Sequence, residues 1–185
     1  MLKEVLDQAR QEMSKSIEAL TNDLGTIRTG RASTSLVDKI KVDYYGTPTP
    51  LQQLALVSVP EAQLITIRPY DPSSIKAIER AILQSDLGIT PNNDGKLIRL
   101  QIPPLTEERR KELARLVHQR VEEARIAIRN HRREALEMLR SMEKEKMISE
   151  DEFYKGKDDL QDITNEFVKK AGEVGEAKET EIMSI

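Results

Sequence analysis

Apolar residues recur at steps of three and four near both ends of this 185-residue chain, but not through its middle. That change of period constrains the fold more than any other feature. From Leu2 the series runs through Val5, Leu6, Ala9, Met13, Ile17, Leu20, Leu24 and Ile27, which is one stripe along a helix. It stops in the stretch "IRTGRAS", where Gly30 suits the left-handed turn that follows a helix, so the first helix is expected to end near Gly30. The stripe returns after Pro103-Pro104. Thr106 is placed to cap a second helix, with Glu107 and Glu108 in its positive first turn. Its seam then passes through Leu113, Val117, Val121, Ala124, Ile128, His131, Ala135, Met138 and Met142. A rod of that length, roughly 60 Å at 1.5 Å per residue, needs partners along its whole extent.

One partner follows directly. Ser149 and Glu152 have capping-box spacing, with Ile148 and Phe153 placed as a hydrophobic staple, so a third helix starts at about Glu150. Its apolar positions are Phe153, Leu160, Ile163, Phe167, Ala171, Val174, Ile182 and Ile185. The short link "EKEKMIS" makes the second and third helices antiparallel neighbours. The first helix completes a three-helix bundle.

Between these helices the pattern alternates. Ile40, Val42 and Tyr44 are interleaved with Lys39, Lys41 and Asp43, which reads as a half-buried strand broken by "GTPTP". "LALVSV", "QLITIR" and "LIRLQI" read as three more strands. "DPSSIKAIERAILQSDLG" is a short helix with Asp71 as N-cap, Pro72 at the first helical position, and Ile75, Ile78 and Ile82 on one face. Gly88 stops it, and "NNDGK" supplies a turn at Asp94-Gly95 before the last strand. The expected class is therefore α+β. A bundle of residues 1–29 and 104–185 carries an inserted β/α/β domain of residues 30–103. The junctions at Gly30 and at Pro103-Pro104 would then lie side by side, as a two-stranded hinge.

Composition narrows the function. The charged share of 33 % and aromatic share of 3 %, with no Trp, suit long solvated helices. The absence of cysteine removes disulfides, thiolate metal sites and a cysteine nucleophile, and favours an intracellular protein. No signal-peptide core, transit-peptide composition or membrane-spanning run is visible, so a cytoplasmic location is expected. There are two histidines, no HExxH, no GxSxG and no spacing for a metal site or phosphate loop; the approach of Gly88 to Gly95-Lys96 has the wrong spacing and lacks a following Ser or Thr. His131 reads as a seam histidine and His118 as a boundary residue. The sequence reads as no enzyme, with no cofactor.

Charge is unevenly distributed under a net value of −3. Residues 109–133 hold nine Lys/Arg against three Glu, whereas residues 143–185 hold seven Lys against thirteen Asp/Glu. Arg125, Arg129, Arg132, Arg133 and Arg140 share one face of the second helix, beside its seam. Planar guanidinium forks in a row suit phosphates, and few exposed aromatics make base stacking a poor alternative, so duplex or folded RNA is the polyanion this face fits. The other reading is a solvated face whose arginines pair with acids of the third helix, in a helical rod that acts as an adaptor for protein partners.

The motifs "IRTGRAS", "YYGTPTPL", "ITIRPYDPSSIKAIERAI", "SDLGITPNNDGKLIRLQIPPLTEERRKEL" and "ARIAIRNHRREA" occur in one order across the full chain, which closely resembles the bacterial ribosome recycling factor family. The resemblance implies a near L-shaped molecule of about transfer-RNA size, with a bundle arm and a small domain at a hinge. It implies a monomer that binds the post-termination ribosome and, with elongation factor G hydrolysing GTP, separates the subunits. It also implies contacts to large-subunit ribosomal RNA, carried onto Arg110, Arg129, Arg132 and Arg133, with Arg28 and Arg31 beside the hinge residues Gly30, Pro103 and Pro104. For Arg28 and Arg31 a plain helix-end charge remains the alternative.

Overall fold

The structure is a computed structural model that describes residues 1–184; Ile185, expected on the third seam, lies outside the described residues. The chain forms two compact units, one of Met1–Arg28 with Thr106–Ser184 and one of Thr29–Leu105.

The first unit contains three helices, α1 (Leu2–Gly25), α4 (Glu107–Lys144) and α5 (Glu150–Met183), each packed against the other two. Their shared interior takes Met13, Leu20 and Leu24 from α1, Val117, Ile128 and Leu139 from α4, and Leu160, Phe167 and Ile182 from α5. Helix α4 starts on Thr106, whose Oγ1 accepts a hydrogen bond from Arg109 N at 3.1 Å. Helix α5 starts on the full capping box: Ser149 Oγ accepts from Glu152 N at 3.1 Å and Glu152 Oε1 accepts from Ser149 N at 3.4 Å, with Ile148 and Phe153 buried around it. The turn between them closes as a Schellman motif. Met147 N donates to Met142 O at 2.8 Å and Lys146 N to Glu143 O at 3.0 Å, with Lys146 in the left-handed region at φ 60°.

Three seam details differ from the sequence reading. Helix α1 ends at Gly25, not near Gly30, because Thr26 Oγ1 donates to Asp23 O at 2.7 Å while Thr26 and Ile27 N–H groups close the last turn on Asp23 and Leu24 carbonyls. Met138 is 54 % exposed, and Leu136 and Leu139 take the buried positions beside it. Val174 is half-buried and its neighbour Gly175 is buried, so the seam of α5 passes through a glycine there.

The glycine has a reason. A Cβ on Gly175 would run into Val121 Cγ2, and one on Gly156 would stand 2.6 Å from Leu2 Cδ1 and 3.2 Å from Leu139 Cδ1. These two positions let α5 approach its neighbours more closely than any side chain would allow.

The second unit holds a four-stranded antiparallel sheet, a separate two-stranded hairpin and two α-helices. The sheet has the order β3 (Ala55–Glu61), β4 (Leu64–Pro69), β6 (Ile98–Gln101), β5 (Asn92–Asn93). Alternation drives it: Ile65 and Ile67 of β4 and Ile98 and Leu100 of β6 are fully buried, with Thr66 and Arg99 between them less so. Ile75, Ile78 and Ile82 of α3 (Ile75–Gln84) join that core, together with Val37, Val42 and Leu51. Asp71 caps a 3₁₀ turn, Pro72–Ser74, that precedes α3, and accepts from Ser73 N at 3.0 Å.

The hairpin is β1 (Lys41–Tyr44) with β2 (Thr47–Pro50), followed by the short helix α2 (Leu51–Leu54). The sequence reading placed a break at "GTPTP", where the structure places a strand. Pro48 and Pro50 are compatible with it because a two-stranded ladder leaves an outer edge that needs no N–H donor. Tyr45 (φ 51°) and Gly46 (φ 82°) make the two-residue turn with both torsions positive, the kind that matches strand twist. At the other end of the sheet, Asp94 Oδ1 accepts from Lys96 and Leu97 N–H groups and Oδ2 from Arg99 at 2.8 Å. The two backbone donors, then Arg99, hold that carboxyl at about 2.

Replacing Gly175 by Ala is expected to destabilise the bundle by about 1–3 kcal/mol, the cost of overpacking a close interface. Urea denaturation followed by circular dichroism checks this, and an unchanged midpoint would contradict the close-approach account.

Candidate nucleic-acid interface

The α4 arginines stand beside its buried seam, with Arg129, Arg133 and Arg140 exposed and Arg125 and Arg132 half-buried. Arg125 pairs with Glu122 at 3.8 Å, Arg129 with the same Glu122 at 3.5 Å, and Arg140 with Glu137 at 2.9 Å. These partners all belong to α4 itself. Among the described residues no acid of α5 pairs with this row, so the pairing expected for a merely solvated face is absent. Glu166 of α5 is engaged elsewhere, with Arg10 of α1 at 2.9 Å, and the hydrogen bond from Arg10 is the main cause holding its carboxyl below the usual range.

Arg110, Arg115, Arg132 and Arg133 make no ion pair among the described residues. Arg115 and Arg133 are exposed, while Arg110 and Arg132 are half-buried. The Nε atoms of Arg110, Arg125 and Arg132 are buried without a hydrogen-bond partner. Their aliphatic stems therefore lie packed along the bundle, so part of the side-chain entropy of these arginines is already spent before any ligand arrives. Ile126, 51 % exposed, sits among Arg129, Asn130 and Arg133 on the same sector.

Other basic residues point away from this use. Arg120 reaches Asp23 of α1 at 3.2 Å as well as Glu123 at 3.3 Å, and Arg109 pairs with Glu112 at 2.9 Å. His118 is 70 % exposed and lies 3.3 Å from Glu179, and His131 is 26 % exposed with Glu134 at 3.9 Å. Among the described residues no group of three or more His, Asp or Glu could hold a metal ion, and no helix is long and apolar enough to cross a membrane.

Arg28 ends the helical unit and Arg31 belongs to the sheet unit; both are exposed and both have interactions within the protein. Between them Gly30 is buried at φ 75°, and a Cβ there would stand 3.1 Å from Leu105 Cγ and 3.2 Å from Leu105 N, with Pro103 O at 3.7 Å. Left-handed torsion and a backbone neighbour together restrict this position to glycine. The chain entering the sheet unit thus runs against the chain leaving it. Ala32 N donates to Ala62 O at 2.7 Å and Ile102 N to Gln63 O at 2.8 Å, tying both segments to one turn. Pro103 and Pro104 are exposed.

Comparison with known proteins identifies the lineage of this arrangement. The family model for ribosome recycling factor matches residues 20–183. The chain belongs to the ribosome recycling factor family. It is 54 % identical over 183 residues to the ribosome-recycling factor of Desulfatibacillum aliphaticivorans, across 99 % of each chain. It is also 54 % identical over 185 residues to that of Roseiflexus sp. strain RS-1, across 100 % of each. The fold is similar to a solution structure of the ribosome recycling factor, with a TM-score of 0.74 and 44 % identity over 100 % of this chain and 98 % of the other. A second similar structure has a TM-score of 0.62 and 47 % identity over 99 % of each chain. It describes models for the T. thermophilus ribosome recycling factor and the E. coli elongation factor G bound to the E. coli post-termination complex. The α+β class read from the sequence is that of these relatives.

As a ribosome recycling factor this chain belongs to a family of translation factors. Within its arginine sector, sequence spacing alone could not separate residues by charge state of their surroundings. Glu122 draws on two arginines at once, Arg125 and Arg129, whereas Arg132 and Arg133, one turn further, make no ion pair among the described residues. Glu122→Gln is expected to raise affinity for a polyanion about two- to fivefold, the range of an exposed ion pair released. Later elution of the variant from heparin checks it, and earlier elution would contradict it.

Proposed function

We propose that this chain recycles ribosomes after translation termination by anchoring its helical unit on large-subunit ribosomal RNA. Arg110, Arg129, Arg132 and Arg133 supply the phosphate contacts, and elongation factor G acts as the partner whose GTP hydrolysis drives subunit separation. The chain works in the cytoplasm, as a monomer, and carries out no chemical step of its own. Family membership supports the process, and the similar structure that places a ribosome recycling factor with elongation factor G on a post-termination complex supports both partners.

The observation that carries the RNA contact is the row of α4 arginines without partners on α5. A guanidinium row only partly paired, by Glu122 and Glu137, raises the local positive potential, steers a polyanion and gains counterion-release free energy on binding. Stems already packed against the bundle reduce the ordering cost. Arg28 and Arg31 are assigned to the same RNA contact as flanking residues, on the strength of the family resemblance.

The segments at Gly30 and Pro103-Pro104 serve as the hinge. Two strands crossing between units restrict motion to a bend where one strand would permit rotation. Gly30 carries the torsion that other residues resist, and the prolines stiffen the return segment.

Arg132→Ala is expected to weaken large-subunit binding about tenfold, the scale of one hydrogen-bonded charge contact, and to lower the slope of log affinity against log salt by about one. Helix content by circular dichroism stays unchanged. Co-sedimentation across a salt series reads both, and an Arg129→Ala/Arg132→Ala variant that binds like wild type would refute the anchoring role. A covalent cross-link between the two units is expected to preserve binding and abolish conversion of post-termination ribosomes to subunits. Full activity of the locked protein would remove the hinge from the mechanism.

A further inference from the structure

Glycine inside a helix lowers stability relative to alanine, so each one calls for a reason. Helix α5 holds three. Gly156 and Gly175 are accounted for by close packing against Leu2, Leu139 and Val121. Gly172 is not. It is half-buried and helical with no positive torsion, and no core side chain or neighbouring backbone lies within 4 Å of where its Cβ would be. What lies there is Arg125 alone, with Nη2 at 2.7 Å and Cζ at 3.9 Å.

The guanidinium of Arg125 therefore rests on the bare backbone of α5 at Gly172. Its Nε is buried without a hydrogen-bond partner and its side chain is 32 % exposed, so the stem is fixed. Its one ion pair among the described residues, to Glu122 Oε2 at 3.8 Å, is close to the longest such contact in the protein and shares that carboxylate with Arg129. Contact, more than charge pairing, sets where this arginine sits. It lies seven residues before Arg132, two turns away on the same sector of α4.

We infer that Gly172 is a positioning residue, which seats the Arg125 guanidinium as an additional phosphate ligand of the RNA-binding face. The inference rests on the RNA-anchoring function proposed above. A seated planar fork loses little conformational freedom on binding, and the terminal nitrogens keep donors for a phosphate oxygen. The space a methyl group would fill is the space the fork occupies.

Gly172→Ala tests this because its structural and functional effects run in opposite directions. The added methyl meets only the end of a flexible side chain, so the helix accepts it, and the melting temperature is expected to stay equal or rise by up to about 3 °C. Large-subunit binding of the full chain is expected to fall about three- to tenfold and its salt slope by about one. Arg125→Ala gives the same loss, and adding Gly172→Ala to it changes nothing further, since both remove one contact. If Gly172→Ala binds like wild type, or if its effect adds fully to that of Arg125→Ala while Arg132→Ala still weakens binding, the seat is disproved and RNA anchoring stands. If Arg125→Ala and Arg132→Ala both leave binding unchanged, anchoring fails and the seat with it. Binding is measured where circular dichroism shows each variant fully folded, so a shift in stability cannot imitate either result.

Discussion

A helix of 38 residues such as α4 does not hold itself in water; it persists because α1 and α5 lie along it, and everything else about the helical unit follows from how closely they do so. Apolar burial supplies the attraction, but Gly156 and Gly175 set the distance. With α5 drawn in and α1 packed on the adjoining side, two sectors of α4 are consumed by contacts. Arg129, Arg133 and Arg140 stand exposed beside these contacts, and Arg125 and Arg132 stand half-buried at their edge. The spacing of that row comes from the helix that carries it.

Electrostatics then divides that face unevenly. The acids of α5 are numerous, yet Glu166 turns to Arg10 and Glu179 to His118, so the arginine row is left with the glutamates of its own helix. Glu122 and Glu137 pair with Arg125, Arg129 and Arg140, and among the described residues Arg132 and Arg133 have no ion-pair partner. Exposed pairs of this kind contribute little to stability. Their effect is on the field that this row presents to its surroundings.

In the sheet unit the same economy appears at a different scale. Ile65, Ile67, Ile98 and Leu100 form one face of a small sheet, and Ile75, Ile78 and Ile82 cover it. The termini of this unit run beside each other because Ala32 and Ile102 bond to the adjacent carbonyls of Ala62 and Gln63. Gly30 fits there, with a left-handed torsion and the Leu105 backbone too close for a Cβ to sit comfortably.

The sequence by itself determined the elements whose cause is local. Period 3.6 from Leu2 and again from Leu113, the Thr106 cap, the Ser149/Glu152 box and the isoleucine face of α3 all act over a few residues, so spacing is enough to read them. It was misleading where a nonlocal contact outweighs local preference. The "GTPTP" strand exists because β1 is present to pair with it, Met138 lost its seam position to Leu136 and Leu139 as three helices closed, and the first helix stopped at Gly25 through bonds made by Thr26. The arginine face could be drawn from spacing, but only tertiary structure decided which arginines are ion-paired, because that depends on where α5 directs its acids. The seat of Arg125 was invisible for the same reason. Gly172 and Arg125 are far apart in the chain, and nothing in either segment records that the two meet.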